Sequence, residues 1–236
     1  MTEQEPIYCG KAKSVFRSEN PDELIVKFRD DITAFDGAKK DELSSKGVYN
    51  ARVSAYFFRY LEEHGIKTHF VRMEDERTMI VRPLKMIPVE VIVRNIAAGS
   101  LVRNYPFEEG APLNPAVVVL DYKDDKRHDP MINDEIIVAL GFMTLEEIEA
   151  VKQTALIIND LLKAQVDAIG LDLVDFKLEF GRHGDEILLG DEISMDSMRL
   201  WDKQTHASMD KDVYRFDKGD VMATYAEVAK RLIGEE

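Results

Sequence analysis

The chain has 236 residues, of which 45% are hydrophobic and 32% charged, with 31 Lys and Arg against 45 Asp and Glu for a formal charge of −14. That length supports one large domain or two small lobes with a real core, and the acidic balance argues against a nucleic-acid partner, whose phosphates would be repelled. The lone Cys9 excludes an intramolecular disulfide, the start MTEQEPIYCGKAK lacks a signal-peptide core, and no apolar run is long enough to span a bilayer, so a cytoplasmic protein without a membrane partner is expected.

Ile7-Tyr8, Ser14 to Phe16 and Leu24 to Phe28 read as short strands separated by turns at Gly10 and Asn20-Pro21. Gly10 lets the first turn approach a ligand closely, and Lys11 and Lys13 flank free backbone N–H groups, which suits a polyphosphate. A plain basic hairpin tip fits the same residues, since YCGKAKSVF is neither a Walker sequence nor GxGxxG. Lys27 is a weaker phosphate ligand than Lys13, because inward alternation of Leu24, Val26 and Phe28 turns it to water. Asp30 to Asp41 reads as a charged loop with a turn at Asp36-Gly37.

Ser44 to His64 reads as a helix capped by Ser44 or Ser45, with Val48, Ala51, Ala55, Phe58 and Leu61 or Tyr56 inward and Gly65 at its end. Thr68 to Arg72, Met79 to Arg82 and Val89 to Ile96 return to strand character, and Pro83 and Pro88 bracket a connector between two lobes. Arg94 to Arg103 reads as strand, small-residue turn and helix start. Ser100 as its cap, free N–H groups and Arg94 suit a phosphate, and an ordinary capped helix fits equally. Lys123 to Pro130 is a second charged loop. Thr144 and Glu147 open the longest helix with a capping box; Ile148, Val151, Ala155, Ile158, Leu162 and Val166 form its apolar face and Gly170 closes it.

From Leu173 the sequence runs LVDFKLEFGRHGDEILLGDEISMDSMRLWD. Val174, Phe176, Leu178 and Phe180 fall on one face of a strand and Asp175, Lys177 and Glu179 on the other. A hairpin through Gly181 to Asp185 brings Glu179 near Asp191, with the register open. Paired carboxylates repel unless a cation lies between them, and magnesium is held by one or two carboxylates plus substrate phosphates. A solvated salt-bridge ladder is the competing reading. A last amphipathic helix spans about Gly219 to Leu232. His64, His69, His183 and His206 show no metal-ligand spacing. Strands cluster early and long helices late, which predicts an α+β fold in two lobes.

These segments together resemble the SAICAR synthetase family, the phosphoribosylaminoimidazole-succinocarboxamide synthases. The resemblance rests on YCGKAKSVF, FRDDITAFDGAKKDE with SSKG, PVEVIVRNIAAGSLVRNY, HDPMIND, LVDFKLEFG and GDEISMDSMRLWDK, in family order from Tyr8 to the last helix. It implies a kinase-like antiparallel ATP lobe over residues 1–84 and a mixed substrate and metal lobe over 85–236. It implies an ATP-dependent ligase of purine biosynthesis that joins L-aspartate to carboxyaminoimidazole ribonucleotide through an acyl phosphate, in a homo-oligomer. By the same resemblance Lys11, Ala12 and Lys13 would hold ATP phosphates, Lys123 would bind the nucleotide, and Val15, Leu24, Val81, Leu84, Lys85 and Met86 would receive adenine. Glu179 and Asp191 would hold Mg2+, and Lys177 would face the reacting carboxylate. Arg94, Ser100 and Arg199 would bind the ribonucleotide phosphate; Asp129, Asp175 and Asp196 would contact ribose, ring amine or a second metal; Asp36 and Gly37 would border the aspartate pocket. Two rivals stand beside it: a small-molecule kinase with the same lobe, and a non-catalytic nucleotide-binding module.

Overall fold

Residues 5–35 and 37–234 are described in this computed structural model. β1 (Tyr8–Cys9), β2 (Lys13–Arg17) and β3 (Leu24–Phe28) form an antiparallel meander. Val26 and Phe28 point inward and Lys27 is exposed, as the alternation requires. The chain then makes a surprise of its acidic stretch. The expected loop over Asp30 to Asp41 is instead a two-stranded hairpin of β4 (Asp31–Ala34) and β5 (Lys39–Glu42), with Ile32 and Ala34 in the core.

Helix α1 (Lys46–Glu63) follows. Neither expected serine caps it: Ser45 has φ +71° and its side chain makes no cap. Asp30 takes that role from across the turn, accepting the Gly47 N–H at 2.9 Å. β6 (Phe70–Met73) and β7 (Thr78–Val81) complete the first sheet in the order β1-β2-β3-β7-β6.

β8 (Lys85–Ile96) begins inside the expected connector, which shrinks to Arg82, Pro83 and Leu84. The short α2 (Ser100–Asn104) leads to β9 (Pro112–Tyr122), a 3-10 turn over Asp125–Arg127, α3 (Asp134–Ala139) and α4 (Leu145–Ala168). Both halves of the capping box form at the start of α4, and its six predicted apolar residues are all buried. β10 (Leu171–His183), β11 (Glu186–Gly190) and β12 (Met198–Asp202) complete the second sheet, before α5 (Asp212–Arg215) and α6 (Val221–Ile233).

The second sheet is ordered β11-β10-β8-β9, and β12 takes the other half of the β10 edge that β11 occupies. Its strands, like those of the first, pair antiparallel. The two sheets are stitched together at one side. The His69 N–H donates to the Leu189 carbonyl at 2.8 Å, and the Leu189 N–H donates to the Lys67 carbonyl at 3.1 Å. One apolar cluster runs from Phe28 through Phe57 and Phe58 to Phe176, Phe180 and Tyr225, so both sheets share a core. No helix among the described residues is long and apolar enough to cross a membrane.

Candidate active site

The β1–β2 turn is built to present backbone. The Gly10 N–H closes it on the Lys13 carbonyl at 2.8 Å. Arg29 supports it from behind: its Nη2 donates to the Gly10 carbonyl at 2.6 Å and its backbone N–H to the Ala12 carbonyl at 2.8 Å. Lys11 reaches out to Asp125 at 2.8 Å, on the surface. Lys13 turns inward, its Nζ 2.5 Å from Asp191 Oδ1 and 3.4 Å from Glu192 Oε1. Burial opposes its charge, but Asp191 and Glu192 outweigh that and raise the ammonium pKa.

The hairpin register brings the acid pair together. Glu179 is paired with Gly190, so Asp191 follows at the end of the neighbouring strand. Glu179 is buried and receives the Lys177 ammonium at 2.6 Å and that of Lys123 on both carboxylate oxygens. Lys177 also donates to Glu90 at 2.7 Å, and Glu90 is paired with Glu179 across β8 and β10. Burial would raise the Asp191 carboxyl; Lys13, Lys177 and Lys123 outweigh it and hold the group well below the usual carboxylate range. Asp191 has φ +57°, a region that non-glycine residues rarely occupy. The solvated-ladder reading fails here, since Asp175 and Glu179 are buried.

Oxygen donors of this kind suit a hard cation such as Mg2+. Among the described residues no group of three or more His, Cys, Asp or Glu is arranged to hold an ion. Two carboxylates alone fit the case in which phosphate oxygens supply the rest of the coordination.

Beyond Lys177 opens a cleft of about 740 Å³ whose walls include Arg94, Ser100, Asp175, Asp196 and Arg199. Asp175 lies between two guanidiniums, with Oδ2 2.9 Å from Arg94 Nη1 and 2.5 Å from Arg199 Nη1. Arg199 Nε also meets Asp212 at 2.8 Å. Gly99, at φ +59°, makes room for this: a Cβ there would sit 2.9 Å from Arg199 Nη2. Ser100 does not cap α2, as the sequence suggests; Gly99 holds the cap position, and the Ser100 hydroxyl accepts from Arg94 Nη2 at 2.9 Å.

The other expected residues divide. Strand pairing puts Val15, Leu24 and Val81 on the same sheet face as Lys13. Leu84 and Met86 rest on Gly181 and Gly190, where a Cβ would come within 2.8 Å and 2.9 Å of Leu84. Lys85 pairs with Arg182 on β10 and is exposed. Asp129 lies outside the cleft lining and accepts the Asp124 N–H at 2.8 Å. Gly37, at φ +87°, forms the β4–β5 tip, and Asp36 lies outside the described residues. Residues not singled out from sequence also line the cleft, among them Phe35, Lys211, Asp212 and Arg215. Glu90 was readable, since Val89, Val91 and Val93 point inward and leave it on the lysine-bearing face. Arg215 and Asp212 carried no such signal, since α5 is a single turn, too short to show a period.

The sequence profile of SAICAR synthetase matches residues 6–232. The chain belongs to the SAICAR synthetase family. The phosphoribosylaminoimidazole-succinocarboxamide synthase of Methanoculleus marisnigri is 62% identical over 233 residues, 99% of this chain and 97% of that one. That of Methanoregula boonei is 65% identical over 98% of this chain and 91% of its own. A SAICAR synthetase structure in complex with ADP superposes with a TM-score of 0.94 at 48% identity, covering 97% and 98% of the two chains. The Ehrlichia chaffeensis synthase superposes at 0.96 with 38% identity, over 98% of this chain and all of that one. The expected α+β fold is therefore that of SAICAR synthetases, and the chain is an ATP-dependent ligase of purine biosynthesis.

Proposed function

We propose that the cleft joins L-aspartate to carboxyaminoimidazole ribonucleotide at the expense of ATP, releasing ADP and phosphate. The observation that carries this reading is Lys177, which bonds the buried Glu179 and also lines the cleft bearing Arg94 and Arg199. One ammonium thus joins an acidic, nucleotide-type end to a cationic, anion-type end.

A carboxylate does not react with amines, so a leaving group must be installed first. In this reading the γ-phosphoryl group passes to a carboxylate oxygen of the imidazole, giving ADP and an acyl phosphate. The aspartate nitrogen then attacks the acyl carbon, the carbon–oxygen bond to phosphate breaks, and the amine loses a proton. Phosphoryl transfer of this kind depends on positioning and charge neutralisation. Lys11, Lys13, Lys123 and the Ala12 backbone bind the phosphates, and Val15, Leu24, Val81, Leu84, Lys85 and Met86 receive the base. Glu179 and Asp191 hold Mg2+, which when bound neutralises phosphate charge. Lys177 neutralises the carboxylate as it is phosphorylated. Arg94, Ser100 and Arg199 bind the ribonucleotide phosphate, while Asp175 fixes both guanidiniums. Asp196 and Asp129 contact the remaining polar groups, and Asp36 and Gly37 border the amino-acid pocket.

Residues 1–84 serve as the nucleotide lobe and 85–236 as the substrate and metal lobe. A homo-oligomer belongs to the same reading, supported by the exposed apolar groove that Tyr105, Phe107 and Met131 line together. The deciding experiment is ADP release from purified protein with MgATP and the ribonucleotide, with and without L-aspartate. Sustained release that needs both co-substrates supports the ligase. Release with a hydroxyl acceptor and no aspartate would replace it with a small-molecule kinase.

A further inference from the structure

Helix α1 buries an apolar face that includes Ala51, Val53, Phe57, Phe58 and Leu61. One stripe of the helix departs from that. Lys46, Asn50 and Ser54 recur every four residues, which aligns them along the axis, and none is more than 1% exposed. Ser54 and Lys46 meet the segment that leaves β11. The Ser54 hydroxyl accepts the Ile193 N–H at 2.8 Å and donates to the Ile193 carbonyl at 3.1 Å. Lys46 Nζ lies 2.6 Å from Asp196 Oδ2, an ion pair off the axis of a hydrogen bond. From the other side the Tyr225 hydroxyl of α6 donates to Asp196 Oδ1 at 2.6 Å. Asn50, between Lys46 and Ser54, buries an amide with no hydrogen-bond partner among the described residues.

Apolar residues at these positions would pack without desolvating a charge or stranding an amide. The segment they grip has work at both ends. Asp191 meets Lys13 of the phosphate turn, and Asp196 lines the cleft beside Lys177 and Arg199. We propose that Lys46 is a positioning residue: with Tyr225 it holds the Asp196 carboxylate as an anion at the cleft wall, and with Ser54 it fixes the segment bearing Asp191 and Asp196. The inference rests on the ligase reading above.

The charged and titratable groups facing Asp196 are Lys46 from α1, Tyr225 from α6, Lys211 ahead of α5 and Glu192 in its own segment, with Lys177 and Arg199 lining the same cleft. Burial pushes its carboxyl up; Lys211, Lys46 and the Tyr225 hydroxyl prevail and keep it well below the usual carboxylate range. A role confined to packing would not depend on the charge of residue 46.

Lys46→Met keeps an unbranched chain, shorter by one atom, and removes the charge. Protein labelled with 13C at aspartate carboxyls reports the Asp196 titration, assigned with Asp196→Asn. The titration is expected to move up by about two pH units in Lys46→Met, as a buried carboxylate that loses a counter-charge does. Turnover should fall about tenfold or more, as for lost support of a site carboxylate, with KM for MgATP unchanged. If Lys46→Met does not fold, Tyr225→Phe carries the test, with a smaller rise in the same direction. An unmoved titration in a folded variant, or unchanged turnover, overturns the proposal. Wild-type protein that releases no ADP with all three substrates overturns the ligase reading instead, and the titration still decides the role of Lys46.

Discussion

Asp175→Asn removes one charge from between two buried guanidiniums. The side chains of Arg94, Asp175 and Arg199 are 7%, 10% and 15% exposed, so solvent screens little of the loss. Breaking a buried ion pair by removing one partner costs about 3–5 kcal/mol, because the other charge stays buried without compensation. The lower end applies here. Arg199 keeps Asp212 at 2.8 Å, Arg94 keeps the Ser100 hydroxyl, and an asparagine oxygen still accepts one bond. The expected loss is therefore about 3 kcal/mol, which at a urea slope of about 3 kcal/mol per M lowers the unfolding midpoint by about 1 M. Inorganic phosphate should restore part of it, since an anion bound only by the folded state stabilises by mass action. Equilibrium urea unfolding with and without phosphate measures both effects. A loss below about 1 kcal/mol that phosphate does not touch would mean that the triad is effectively solvated, and the phosphate assignment would lose its support.

Glu179→Gln should cut turnover by about a hundredfold or more. It should also destabilise the protein, because Lys123 and Lys177 both lean on that carboxylate; steady-state kinetics beside urea unfolding would expose a purely structural role as equal losses in both. His69 is buried, and its pKa falls to about 3, chiefly through burial, with Lys13 adding to the shift and Asp191 opposing it. The unfolded chain takes up a proton near pH 6.5 that the folded one refuses, so stability should fall as pH drops from 6.5 toward 3, by up to about 1.4 kcal/mol per unit. His69→Phe should remove that slope, and parallel stability curves for the two proteins between pH 7 and 5 would refute the assignment. Thr144→Ala deletes half of a capping box and should cost about 1 kcal/mol with activity intact; an unchanged urea midpoint would show that the Arg182–Glu147 pair alone secures the start of α4.

Elements whose signal is local were legible. Helix α4 carries its cap, its apolar stripe and its closing glycine within its own sequence, and the structure keeps all three. Alternation along β10 announced a strand, and the turn after it announced the neighbourhood of Glu179 and Asp191. What failed depended on residues far away. Ser45 looked like a cap, but Asp30 reaches the Gly47 N–H across the β4–β5 hairpin. That hairpin itself was hidden because β5 reads KKDE, with no apolar residue to mark an inward face. Ser100 sits at a helix start but answers to Arg94. Lys46 lay inside the SSKG motif with nothing to indicate that its charge is fully buried; only α6 and the segment after β11 create that environment.

The stitching of residues 67–69 to Leu189 has a mechanical consequence. Backbone hydrogen bonds run from the first sheet into β11 at that side, so the two sheets cannot separate there without breaking strand pairing. Side chains of the β1–β2 turn also reach the second half of the chain: Lys13 meets Asp191 and Glu192, and Lys11 meets Asp125 in water. The molecule is a book bound along one spine. In the proposed reading ATP would engage the same lysines of the β1–β2 turn, so its phosphates would compete with these ion pairs while the backbone stitch stays closed.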